Sequence, residues 1–307
     1  MMRSTPTLAL AVLASSLLLA CSGGEETTPT PIPDAGKAVD EVRFDTSSYT
    51  LKSGEERRYM CFTTRLESDV ATLVKKITPI YGKATHHLGI YYTLAPEADG
   101  VFECPELVRE NWVPLYGGGV ESGTLKAPDG AAFHLIPHQQ ILVQLHLLNA
   151  GADAIEDKAT IVFETSKDTS LKKAGMFGFD NRNLNIPAHG KDVAQGMSCP
   201  NVGVDMDVFA VFGHMHEHGK TIKVTRGVEP GAELLFSEGW NFDNQPTVPK
   251  SFHVSKTDTI NVGCTYDNDG ETDLSYGEST FNEMCSFVFY YTPYEALNGC
   301  VNSPPTP

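Results

Sequence analysis

Short apolar runs separated by polar turn clusters recur along most of the chain. ILVQLHLLN (141–149), ATIVFET (159–165), MDVFAVFGHMH (206–216), KTIKVTR (220–226), DTINVGCTY (258–266) and MCSFVFYYT (284–292) are rich in β-branched and aromatic residues. Gly, Pro, Asn and Asp punctuate them, which predicts strands and an all-β fold of sandwich type. No window sustains a 3.6-residue period long enough for a major helix, and no internal repeat of fixed period is found. Residues 41–301, about 260 in all, suffice for one large or two ordinary domains. The polar stretch ETSKDTSLKK (164–173) is the expected break, giving domains at 41–168 and 169–301.

The same alternation places the histidines. If 206–216 is extended, His214 and His216 project to one side and Met215 to the other, a spacing that suits a shared metal ion. By itself His-x-His also describes an exposed strand end. His218 has the same parity, but Gly219 follows it, so it reads as solvent-exposed or as support for the ligands. His86 and His87 are adjacent and could share an ion only where the strand is twisted or bulged. His146 shares a face with Gln144 and also reads as a core histidine. His134, His138, His189 and His253 sit beside loop signals and carry no pattern. Met284 precedes an apolar run, where a methionine ordinarily packs a core; it is flanked by Glu283 and Cys285, with Cys264 lying 21 residues before Cys285.

Composition changes the picture mainly through the N-terminus. Arg3 precedes an apolar run, Leu8 to Ala20, that is too short to anchor a span and ends at Cys21. Residues 1–20 are expected to be a signal peptide, with cleavage before Cys21 and acylation of its thiol. SGGEETTPTPIPDAGK, after Cys21, cannot bury enough surface to order itself, so 21–40 reads as a tether and 302–307 as a disordered tail. Six of the seven cysteines remain in an exported chain, which suggests three disulfides without selecting the pairing. The formal charge of -16, or -17 once Arg3 leaves, makes nucleic acid an unsuitable partner and limits membrane contact to the lipid anchor.

Taken in order, His-His, Gln-x-His, His-x-His-x-x-Gly and Glu-Met-Cys resemble the copper type II, ascorbate-dependent monooxygenases, the family of peptidylglycine α-hydroxylating monooxygenase and dopamine β-monooxygenase. The resemblance runs from about Met60 to Cys300. It implies two tandem jelly-roll β-sandwich domains with a solvent-filled cleft between them and a copper ion on each face. His86, His87 and His146 would hold the electron-storing copper; His214, His216 and Met284 would hold the oxygen-activating one and carry catalysis. The thioether favours Cu(I) over zinc, which a three-histidine set alone does not. The resemblance also implies disulfides Cys61–Cys104, Cys199–Cys300 and Cys264–Cys285. The implied activity is hydroxylation of a C–H bond of a small organic substrate with O2, using ascorbate or another one-electron reductant as cosubstrate.

Two departures bear on substrate. The peptide-amidating branch carries an arginine two residues before the first histidine of His-x-His and a tyrosine four residues after the methionine; here Phe212 and Val288 stand there as candidate substrate-binding residues. Without that cation a peptide carboxylate loses charge-assisted hydrogen bonds worth about 1.5–3 kcal/mol each, so peptide amidation is not expected. The chain ends soon after Cys300, which reads as leaving no room for the lyase that completes amidation in some relatives. The rival expectation is a copper-binding lipoprotein without turnover that stores, delivers or senses the metal. A zinc hydrolase lacks support, since no His-Glu-x-x-His is present. The chain is expected to be a monomeric bacterial lipoprotein of the outer membrane, Ser22 being a non-acidic residue after the acylated cysteine.

Overall fold

The computed structural model describes residues 40–104, 107–119, 122–295 and 298–303. The leader (1–20), Cys21 and the tether as far as residue 39 lie outside the described residues, as do residues 304–307. Strands begin at Asp40 and run to Asn302, so order reaches one residue into each segment that reads as tether or tail. Among the described residues there is no helix.

Four larger sheets make up the fold. Residues 40–173 supply a sheet in the order Asp40–Asp45, Thr160–Ser166, Thr72–Ile80, Ala131–Leu135, Lys172–Lys173, with Leu125–Lys126 added on Thr72–Ile80. They also supply a five-stranded sheet in the order Gly100–Glu103, Glu56–Arg65, Gln140–Leu148, Thr85–Thr93, Trp112–Gly119, termed the roof below. Residues 175–302 supply a second five-stranded sheet, the floor, in the order Val248–Val254, Met206–His214, Ser286–Thr292, Gly175–Asn181, Asn298–Asn302. The floor is backed by a four-stranded sheet, Val193–Cys199, Ile260–Tyr266, Gly219–Arg226, Glu233–Gly239. Contacts do not part these halves: the described residues belong to one compact unit.

Why several strands read as almost unbroken apolar runs follows from their having two covered faces. In Gln140–Leu148, Ile141, Val143, Leu145 and Leu147 enter the first core, with Val74, Ile77, Phe133, Ile161 and Phe163 from the sheet behind. Leu142, Gln144 and His146 point the other way and are buried too. Ser286–Thr292 does the same: Phe287, Phe289 and Tyr291 pack the second core with Phe177, Phe179, Val211 and Val262, whereas Val288 and Tyr290 pack with the first. Phe179 and Phe289 meet edge to face at 4.9 Å, a favoured geometry for buried rings. The six cysteines form Cys61–Cys104, Cys199–Cys300 and Cys264–Cys285.

Candidate metal centre and cavity

Two β-bulges bring the histidines to the space between roof and floor. On Met206–His214, pairing with both neighbours shifts between Val208 and Ala210. Met206 and Val208 face the second core, as do Val211 and Met215, whereas Ala210 and Phe212 pack with the first. A regular strand would have sent residues 206 to 216 of even number to one face; the extra residue, Phe209, changes the phase and turns His214 and His216 away from the core. The strand ends at His214, yet Met215 continues the alternation inward. On Thr85–Thr93, the partner register jumps from His87 opposite His146 to Thr85 opposite Leu147, leaving His86 as the bulged residue. That lets adjacent His86 and His87 turn toward one point.

At that point three Nδ1 atoms converge. His86 Nδ1 lies 3.3 Å from His87 Nδ1, and His87 Nδ1 lies 3.1 Å from His146 Nδ1. Nitrogens held about 2.0–2.1 Å from one ion sit about 2.9 Å apart at right angles and about 3.5 Å apart at 120°, so the spacing fits a shared cation. His146 donates Nε2–H to Glu56 Oε1 at 2.8 Å, which fixes the tautomer and leaves its Nδ1 lone pair for the cluster. Burial drives the pKa of His86 down to about 4 and, with His214 and His86 beside it, that of His87 well below its ordinary value. Burial also lowers His146, against the opposing pull of Glu56. All three are therefore neutral near pH 7, the form in which an imidazole can bind a metal.

In the second set, two ring hydrogens are tied down on the outer side. His214 Nδ1–H donates to Gln245 Oε1 at 2.8 Å and His216 Nδ1–H to the Asn282 carbonyl at 3.0 Å. Each Nε2 is left with a free lone pair, and the rings stand edge to face at 5.2 Å. Burial lowers the pKa of His214 to about 3 and that of His216 to about 4. Met284 is buried and lines the same cavity as both histidines, offering a soft thioether beside two imidazoles, a donor set that fits copper. Its backbone is fixed on three sides: Tyr266 Oη–H donates to its carbonyl at 2.8 Å, its N–H donates to Glu283 Oε2 at 3.2 Å, and Cys285 is disulfide-bonded.

Glu283, the first residue of Glu-Met-Cys, has a structural role that the motif does not state. Its fully buried carboxylate accepts N–H from His216 (3.0 Å), His218 (2.8 Å) and Met284 (3.2 Å), stapling the histidine-bearing turn after the strand to the methionine. Burial outweighs these bonds and pushes its pKa up to about 7. Adjacency to Met284 was the available signal. Gln245, Phe242 and Glu56 carried none, since each becomes part of the site only through tertiary contact. His218 contributes its backbone N–H to Glu283, and its ring meets the Asp267 carbonyl at 3.3 Å.

Rather than facing one another across open solvent, the two histidine sets adjoin: the rings of His87 and His214 meet edge to face at 4.8 Å. The segment Asn241–Pro246 touches both sets, with Phe242 on His86 at 4.4 Å and Gln245 on His214. Ser122 Oγ donates to the Gln245 carbonyl, holding the segment against the roof. Beyond the histidines opens a cavity of about 650 Å³. Its floor is a grid set by strand register: His214, Ser286, Asp180 and Val301 in one row, Phe212, Val288, Gly178 and Gly299 in the next. Phe212 and Val288 thus stand side by side in that floor.

Residues 172–306 match the sequence model described as "Copper type II ascorbate-dependent monooxygenase, C-terminal domain". The match includes His214, His216, Met284, Cys199, Cys264, Cys285 and Cys300; His86, His87 and His146 lie outside it. Among solved structures, the chain is similar to the major capsid protein P2 of bacteriophage PM2 at 7% identity, over 82% of this chain and 97% of that one, with a TM-score of 0.37. It is similar to the STIV MCP at 9% identity, over 83% and 98%, with a TM-score of 0.35. Likenesses of that degree say nothing about chemistry. Residues 172–306 are thus similar to the C-terminal domain of the copper type II ascorbate-dependent monooxygenase family.

Proposed function

We propose that the protein is a copper-dependent monooxygenase that hydroxylates a C–H bond of a small organic substrate other than a glycine-extended peptide. His86, His87 and His146 would hold one copper and His214, His216 and Met284 a second. When bound, copper supplies one-electron storage and activation of O2, with electrons from ascorbate or a similar reductant. The observation that carries the reading is the second set: two imidazoles whose outer nitrogens are tied to Gln245 and Asn282, and a buried thioether, all lining one cavity. The chain's own residues orient the ligands through Glu56, Gln245 and Glu283 and exclude water by packing Phe242 on His86. Phe212 and Val288 offer an apolar wall against which a C–H bond can rest, and the cation that also lines the cavity, Arg182, is paired with Asp180. The reading includes export and acylation at Cys21, with the lipid in the outer membrane and the chain monomeric.

Met284→Ile tests it. Wild-type protein is expected to bind two coppers and to consume O2 when given ascorbate and an organic substrate; the variant should lose O2 consumption and sulfur coordination while retaining copper at the first set. Zinc at both sites in competitive loading, or no sulfur ligand on copper, would sink the proposal. Correct copper binding with no coupled substrate from a broad screen would favour the non-catalytic copper-binding lipoprotein.

A further inference from the structure

Glycine in a strand interior costs entropy and packs nothing. It is kept there for a positive φ, for a neighbour too close to admit a Cβ, or for close approach of a ligand. Gly178, in the middle of Gly175–Asn181, has neither of the first two reasons. Its φ is not positive, and a Cβ built on it would meet nothing within 4 Å. Nearby glycines differ: a Cβ on Gly175 would run into the Tyr294 ring, and one on Gly299 would lie 3.0 Å from the Gly178 carbonyl oxygen.

The open space over Gly178 is the cavity. Strands lie about 4.8 Å apart, so Gly178 stands two strands, about 10 Å, across the floor from the strand of His214. Gly178 and Gly299, paired side by side, form a patch of bare peptide planes flanked by Val288 and Met176, with Tyr91 lining the cavity from the roof. Gly175–Asn181 lies between two strands of the floor, so the Gly178 backbone groups are engaged in ladder bonds and the residue offers flatness rather than donors or acceptors.

We infer that Gly178 is the specificity-determining residue of this cavity, its bare backbone being the floor on which a flat, uncharged, apolar end of the substrate lies while the C–H bond to be oxidised reaches His214, His216 and Met284. The inference rests on the monooxygenase reading for the substrate's fate, but binding itself needs no copper, so the two fail separately.

The test is calorimetric binding of benzyl alcohol and of cyclohexylmethanol, one flat and one puckered, to the full chain without metal, together with melting temperatures. Wild-type protein should bind benzyl alcohol more tightly than cyclohexylmethanol. Gly178→Val should weaken benzyl alcohol binding at least about tenfold by filling the space. Gly178→Ala should weaken it less and raise the melting temperature by about 1–3 °C, because a Cβ in open space constrains only the unfolded chain. Gly239→Ala, at the exposed end of Glu233–Gly239 and equally uncrowded, should stabilise without touching binding. A lowered melting temperature for Gly178→Ala would make the glycine structural and overturn the inference. So would unchanged binding in Gly178→Val, equal binding of the two alcohols, or no binding of benzyl alcohol up to its solubility. Tighter binding of benzylamine or benzoate would move recognition to Glu278 or Arg182, which also line the cavity, and overturn it as well.

Discussion

Replacing Glu283 with alanine removes the acceptor that three backbone N–H groups share, those of His216, His218 and Met284. Each buried donor left bare costs about 1–3 kcal/mol, so the three together cost on the order of 5 kcal/mol. Against this stands the burden of burying the carboxylate, visible in the rise of its pKa from 4.5 to about 7. The folded carboxyl keeps its proton up to about pH 7, whereas the unfolded one releases it near 4.5. The folded state therefore binds more protons in that window, and this group's contribution to stability falls as pH rises through it, by about 3 kcal/mol. Glu283→Ala should accordingly be destabilised by roughly 5 kcal/mol at pH 5 and roughly 2 kcal/mol at pH 8. Urea unfolding of metal-free wild type and variant at the two pH values reads the gap, and X-ray absorption of the Cu(I)-loaded variant reads the sulfur ligand, which should be lost. Glu283→Gln can turn its carbonyl oxygen to His216 and Met284 and forfeit only the His218 bond. It should stay within about 1 kcal/mol of wild type at pH 8 and retain sulfur coordination. A gap that is constant or widens with pH, or an alanine variant with sulfur still on copper, would refute the staple.

Two further outcomes follow from the same site. Metal-free protein should lose stability as pH falls from 6.5 toward 4, because the unfolded histidines take protons that buried His86, His214 and His216, with pKa values of about 4, 3 and 4, refuse. On the order of 3 kcal/mol per group is at stake, and acid titrations of wild type against His86→Phe, which should show a shallower loss, check it. Removing Cys199–Cys300, with its separation of 101 residues, should destabilise by about 4.7 kcal/mol, and removing Cys264–Cys285, separation 21, by about 3 kcal/mol. Copper titration of the two variants should nevertheless show the larger loss of second-site affinity for the smaller loop, since that bond fixes the backbone beside Met284.

The all-β character was legible because period-two runs and turn residues state it locally. The ladder ILVQLHLLN and the run SFVFYYT could not reveal their two covered faces, which depend on a second sheet far along the chain. Two placements hinged on single residues. Regular alternation from Met206 would have sent His214 and His216 into the core with Val208, and nothing in MDVFAVFGHMH marks Phe209 as the inserted residue. Likewise His86 and His87 needed a bulge that only the register with His146 and Leu147 reveals. Glu283 was in plain view, but a carboxylate's role depends on which N–H groups fold onto it. Gln245 and Phe242 sit in an ordinary polar connection whose importance comes from crossing to the roof.

The bulge at Phe209 also makes the ligand strand a counting device. Lengthening or shortening the chain by one residue between Val208 and His214 exchanges its two faces, delivering Val211, Gly213 and Met215 to the cavity and the imidazoles to the oil. A change of two residues keeps the address and moves only the distance. Indels that persist in this strand among related chains should therefore come in pairs, whereas the turn Gly227–Ala232, between Arg226 and Glu233, carries no such parity.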